Sequence, residues 1–177
     1  MRTTARKTTV TIAATALLGG WGALSGGPAE ASSPAPVARL GAGSQPSSCR
    51  PANHLAKITS APASSGHRHY RVSLTAAAGY EPCVLAGSPT DVTFHRHGSP
   101  IGVTAGAYGP QHTPVTFAPG HPVHFDIQVP NDAVGAPADE ADFTLRTPDG
   151  MIPGESAAYG TLSVGAGAAV GPVQPGA

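Results

Sequence analysis

The sequence predicts an all-β domain: an antiparallel, immunoglobulin-like β-sandwich of about seven to nine short strands, flanked by flexible tails. Three observations point there. Apolar residues recur with period two through the middle of the chain, turn-forming dipeptides separate those runs at short intervals, and no amphipathic helical run of useful length is present.

The N-terminus sets the compartment. Arg2, Arg6 and Lys7 form a positive start, and no charge follows from Thr8 to Ala29. The apolar centre "VTIAATALLGGWGAL" leads to Ala29-Glu30-Ala31, the pattern of a secretory signal peptide over 1–31 cleaved between Ala31 and Ser32. The glycines at 19, 20, 22, 26 and 27, with Pro28, make the same run a poor membrane helix. The expected mature chain therefore has no transmembrane segment, and the expected location is extracellular or cell-envelope-associated. Loss of 1–31 removes three of ten Lys/Arg and one of ten Asp/Glu, leaving seven against nine. That balance carries no footprint for nucleic acid.

Gly (23) and Pro (19) make up 42 of 177 residues, concentrated at the ends. Residues 32–48, "SSPAPVARLGAGSQPSS", and 166–177, "AGAAVGPVQPGA", hold few large apolar side chains and read as flexible tails, because little burial offsets their ordering entropy. The domain is expected over 49–165.

Within it, "HRHYRVSLT" (67–75) turns Tyr70, Val72 and Leu74 to one face. "DVTFH" (91–95) does the same with Val92 and Phe94, and "PVTFAPG" (114–120) with Val115 and Phe117. "HPVHFDIQV" (121–129) offers Val123, Phe125, Ile127 and Val129. "DFTLRT" (142–147) and "GTLSVG" (160–165) add Phe143, Leu145, Leu162 and Val164. Ser65-Gly66, Gly98-Ser99-Pro100, Pro119-Gly120 and Pro148-Asp149-Gly150 punctuate the runs. Cys49 and Cys83 are the only cysteines, and in an oxidising compartment an even count reads as a disulfide. Two free thiols are the competing reading; a metal site is disfavoured because no C-x-x-C spacing occurs.

These features resemble one family. Cys49 near the start of the domain, Pro82-Cys83-x-Leu85-x-Gly87-x-Pro89, a strand into Ala118-Pro119-Gly120 and the closing Gly160-Thr-Leu-Ser-Val164 follow the order of the "domain of unknown function 4232" family of exported actinobacterial proteins. The resemblance implies an exported β-sandwich without an established activity. Two departures stand out: the chain lacks a second cysteine pair in its C-terminal half, and it reads Thr75-Ala-Ala-Ala-Gly79 where relatives often carry Asn.

Chemistry-bearing residues are few. G-x-S-x-G, H-E-x-x-H, S-x-x-K and P-loop patterns are absent, and Gly165-Ala-Gly167 precedes no helical pattern, so neither a catalytic set nor a cofactor is expected. Asp139-Glu140-x-Asp142 reads as a solvated acidic loop rather than a Ca²⁺ loop. His67 with His69, and His95 with His97, repeat at i, i+2. If the two segments were neighbours, four imidazoles would meet as Zn²⁺ or Cu²⁺ requires. Against that, Arg68 and Arg96 would fall on the apolar face, so the strands are expected to begin near His69 and end near His95. The leading expectation is a non-enzymatic binding or cell-envelope-associated module with a protein or envelope partner. Zinc or copper binding through the four histidines is the alternative, and a minor hydrolase the remaining class.

Overall fold

The computed structural model describes residues 46–177. The expected leader, its cleavage site at Ala31/Ser32 and all but the last three residues of the 32–48 segment lie outside the described residues. After a one-turn 3-10 helix (Pro51–Asn53) the chain forms β1 (His54–Ser64), β2 (His67–Ala76), β3 (Cys83–Ala86), β4 (Thr90–Arg96), β5 (Ser99–Thr104), β6 (Gly106–Ala107), β7 (Pro114–Phe117) and β8 (Val123–Pro130). It continues through β9 (Ala136–Thr144), β10 (Arg146–Thr147), β11 (Gly150–Met151), β12 (Ser156–Val164), β13 (Ala169–Val170) and β14 (Gln174–Pro175). Nine of these have four residues or more, within the range that the alternation predicts.

The main sheet runs β5-β4-β9-β12-β1-β2-β8-β13-β6, with β14 also on β8; β3–β7 and β10–β11 are separate pairs. Two antiparallel blocks, β5-β4-β9-β12 and β1-β2-β8, meet at a short parallel pairing of β1 with β12. Four strand steps separate β9 from β8, about 19 Å along a flat sheet. Yet the rings of Phe143 on β9 and Phe125 on β8 lie 5.0 Å apart, edge to face. The sheet must therefore fold over itself, and its two blocks bury a shared interior. Val72, Leu74, Val92, Phe94, Ile127 and Leu162 fill it, and β3–β7 adds Leu85, Val115 and Phe117. The result is an all-β, sandwich-like fold.

Two hairpins fix its register, one in the middle of the sheet and one at its edge. Ser64 pairs with His67 across Ser65-Gly66 (φ 44 and 79), and Arg96 pairs with Ser99 across His97-Gly98 (φ 51 and 74). Positive φ at both central positions is the two-residue turn whose twist suits right-twisted strands. Both strands therefore run further than inward parity predicts. Arg68 is tolerated inside β2 because its Nε and Nη2 donate to the carbonyls of Ser163 (3.2 Å) and Ala133 (3.4 Å). Arg96 reaches solvent at the end of β4. The turn after β4 is thus His97-Gly98 alone, with Ser99 and Pro100 of the expected turn signal already in β5.

The C-terminal tail also departs from expectation. Rather than hanging free, 166–177 pairs with β8 through β13 (Val170 opposite Ile127) and β14 (Gln174 opposite His124). Ala168, Val170 and Val173 are buried, and His124 Nδ1 donates to the Gly176 carbonyl at 3.1 Å. A strand edge that already exists supplies the hydrogen bonds, so three small apolar side chains suffice to hold the segment.

Where β12 meets β1 there is no space for a side chain. A Cβ at Gly160 would overlap the Ile58 carbonyl oxygen and stand 2.9 Å from the Ile58 Cβ. Gly160→Ala is expected to destabilise the domain by about 2 kcal/mol, seen as a lower urea midpoint, because backbone must move to admit it. A midpoint unchanged by the methyl would show that the junction is looser than described.

Candidate functional site

The outer face of the folded sheet is polar except at the parallel junction. Register places Lys57 of β1 beside Tyr159 of β12, Tyr159 beside Glu140 of β9, and Glu140 beside His95 of β4. One step along the strands, Asp142 lies between Thr93 and Ala157. Carrying the parallel register back one residue sets Leu55 next to Ala157. Side chains alternate across a strand, so all of these point away from the core, whereas Ile58, Phe94, Ala141 and Ala158 point into it. Leu55 is 80 % exposed and Tyr159 60 %, an apolar pair on a wet face.

Carboxylates rim the pair on one side. Burial, then repulsion from Glu140 and Glu155, raises the pKa of Asp142, while attraction to His95 opposes the shift. His95 Nδ1 is 3.3 Å from Asp142 Oδ2 but out of line for a hydrogen bond. Tyr159 is held protonated to higher pH by its hydrogen bond to Glu140 and by that residue's charge. A raised carboxyl pKa contributes stability that is present below the unfolded value of 3.8 and lost as pH rises through the folded one. Asp142→Asn is therefore expected to stabilise the protein at pH 7 by about 0.5 kcal/mol, kept small by solvent screening on this wet face. The advantage should vanish in thermal melts below about pH 4. A variant less stable at pH 7 would mean that the attraction to His95 dominates.

The acidic residues thus occupy a strand, not the loop that the sequence suggests. Glu140 and Asp142 sit within β9, whose alternation a register shift against β12 interrupts. Asp139 accepts from the His97 backbone N–H (3.0 and 3.1 Å to its two oxygens), and His97 Nδ1 lies 3.1 Å from Oδ2. This pins the β4–β5 hairpin to β9.

The four candidate metal-binding histidines do not converge. Strands β9, β12 and β1 stand between β4, with His95, and β2, with His67 and His69. His67 Nδ1 lies 3.0 Å from the Ser65 carbonyl and His69 Nε2 3.0 Å from Ser64 Oγ, so both serve their own hairpin. Among the described residues no group of three or more His, Cys, Asp or Glu is placed to hold a metal ion. The i, i+2 spacing was legible in the sequence; the strand order was not.

Cys49 and Cys83 form a disulfide with Cα atoms 6.0 Å apart. Beside it lies a pair that sequence spacing does not reveal: His54 Nε2 is 3.1 Å from Ser156 Oγ, and His54 Nδ1 is 3.0 Å from the Ser48 carbonyl. A carbonyl can only accept, so Nδ1 carries the proton and Nε2 accepts from Ser156, the arrangement of a nucleophile with its base. Both side chains are buried, however, and the His54 ring packs edge-on against Phe117 at 5.6 Å. A shallow concavity of about 420 Å³ nearby is lined by Arg50, Pro51, Pro153 and Glu155, not by Ser156 or His54. The pair acts as a clamp between the cystine segment and the start of β12. Burial lowers the His54 pKa, opposed by the Ser48 and Arg50 carbonyls. A depressed folded pKa gives stability that is complete above the ordinary imidazole value of 6.5 and lost as pH falls below it toward the folded value. The melting temperature is expected to drop over that interval in wild type but not in His54→Gln; a parallel drop in both would assign it to other groups.

A second concavity, about 390 Å³, is bordered by Tyr108, Pro110, Val115, Pro172, Val173 and Pro175. It is apolar and converges few polar groups, so it offers little to orient a ligand. No helix among the described residues is long and apolar enough to cross a membrane.

No curated protein and no solved structure matches the chain. The sequence does match the family described as "Domain of unknown function (DUF4232)" over residues 49–175, from the first half-cystine to β14. With its cystine, its folded sheet and its paired C-terminal segment inside that span, the chain belongs to the DUF4232 family.

Proposed function

We propose that this protein is an exported, non-enzymatic β-sandwich that works by surface contact, as a binding or cell-envelope-associated module, through the outer face at the β12–β1 junction. The observation that carries this reading is the exposed Leu55–Tyr159 pair, set on a rigid sheet between Lys57 on one side and Glu140 and Asp142 on the other. Large apolar side chains held out to solvent and rimmed by charge are the composition of contact surfaces. Export is supported by the leader-like N-terminus and by the disulfide, which persists outside reducing compartments.

Against catalysis stands the burial of the His54–Ser156 pair, in which Nε2 is set to accept from the hydroxyl. A panel of esterase, glycosidase and protease substrates is expected to give no turnover above background. Turnover that Ser156→Ala abolishes, with the fold intact by circular dichroism, would replace this reading with a hydrolase.

A further inference from the structure

Resting on that reading, and naming the occupant of the same surface, we propose that the β12–β1 face receives a second copy of this chain in a face-to-face, two-fold dimer. The argument is self-complementarity. Consider a two-fold axis lying in the contact plane, parallel to the strands and between β12 and β1. It exchanges the two strands, so each outward residue meets the residue that stands beside it in its own copy. Lys57 and Tyr159 are lateral neighbours. Lys57 of one copy therefore lies over the Tyr159 ring of the other, a cation on a π face. Glu140 flanks Tyr159 on its far side, within reach of the same ammonium.

The remaining positions agree. Leu55 falls on Ala157, large on small, and one strand further out Glu140 meets Ser73 and Asp142 meets Thr75. No like charges are opposed. A two-fold axis along β12 itself would set Lys57 on Glu140, but it would also set Tyr159 on itself and Leu55 on the Asp142 carboxylate. One running across the strands would set Glu140 on Glu140; both carry a penalty that the junction axis avoids. Among the described residues neither Lys57 nor Glu140 has an ion-pair partner within its own chain; Glu140 accepts only from the Tyr159 hydroxyl, so its charge meets a cation when the second copy brings Lys57.

Four strands by five residues cover on the order of 300 Å² per copy in projection. That is the small, transient class of interface, and the dimer is correspondingly weak and concentration-dependent.

Sedimentation equilibrium tests this on protein expressed from the full chain with its leader, over about a hundredfold range of concentration reaching millimolar. A reversible monomer–dimer equilibrium is expected. Lys57→Glu alone and Glu140→Lys alone should each weaken it by about tenfold, because each opposes like charges, and the double swap should restore it. Unchanged circular dichroism checks that these surface variants fold. Monomer at every concentration, or a dimer indifferent to Lys57→Glu, would overturn the proposal. Neither result bears on the contact-module reading itself, which falls to Ser156-dependent turnover, to cross-linking that is independent of position, or to a lack of adducts from positions 55 and 159.

Discussion

Replacing Cys49 and Cys83 together by serine is expected to cost about 4 kcal/mol of folding stability. The bridge closes a loop with a sequence separation of 34, and opening it returns that chain entropy to the unfolded state. Small domains have only about 5–15 kcal/mol in total, so the loss would be a large share. The consequence is also local. The cystine ties the segment before β1 to β3; beside it Ser48 N–H donates to the Glu81 carbonyl at 2.9 Å, and His54 clamps Ser48 to Ser156. Urea unfolding of the double variant, and of wild type with reductant, should show the same lowered midpoint. A loss below about 1 kcal/mol would mean that β1 and β3 are held by packing alone.

Phe143→Ala is expected to cost about 4 kcal/mol, since the ring is fully buried and its removal leaves a cavity between the two blocks of the sheet. Phe125→Ala should cost a similar amount. Their contact is the clearest mark that the sheet folds over itself, and a double-mutant cycle isolates it. The double variant should lose about 1 kcal/mol less than the sum of the single losses, because each single variant already removes the contact. Strict additivity would place the two rings apart and leave the folding-over without its main support.

The period-two runs gave away most of the interior because strands with one buried face write their burial directly into the residue order. Val72-x-Leu74, Val92-x-Phe94 and Val123-x-Phe125-x-Ile127 are examples, all buried as expected. β1 was illegible for the opposite reason. Its inward positions are His54, Ala56 and Ile58, while its largest aliphatic chain after Ile58, Leu55, faces out. Alternation inverted in this way hides a strand, and the inversion is what makes the face a contact candidate. The acidic residues of β9 were obscured likewise, by the register shift that breaks their parity with β12. Arg68 misled because parity counts charge and not partners; two main-chain carbonyls at the far end of β12 and before β9 satisfy it. The remaining gap is strand order. Sequence spacing set His67 and His69 beside His95 and His97 as a possible cluster, and only the topology, with three strands between them, separates the pairs.

Site-specific photo-cross-linking in the cells that make the protein tests the role of the β12–β1 face most directly. A cross-linking side chain placed at Leu55 or at Tyr159 is compared with one at Val134 or Met151, which are also exposed (94 % and 63 %) but lie elsewhere. Discrete adducts are expected from 55 and 159 and not from 134 or 151, with a mass of twice the chain where the second copy is captured. Equal yields from all four positions, or none from the first two, would contradict the assignment of this face as the working surface.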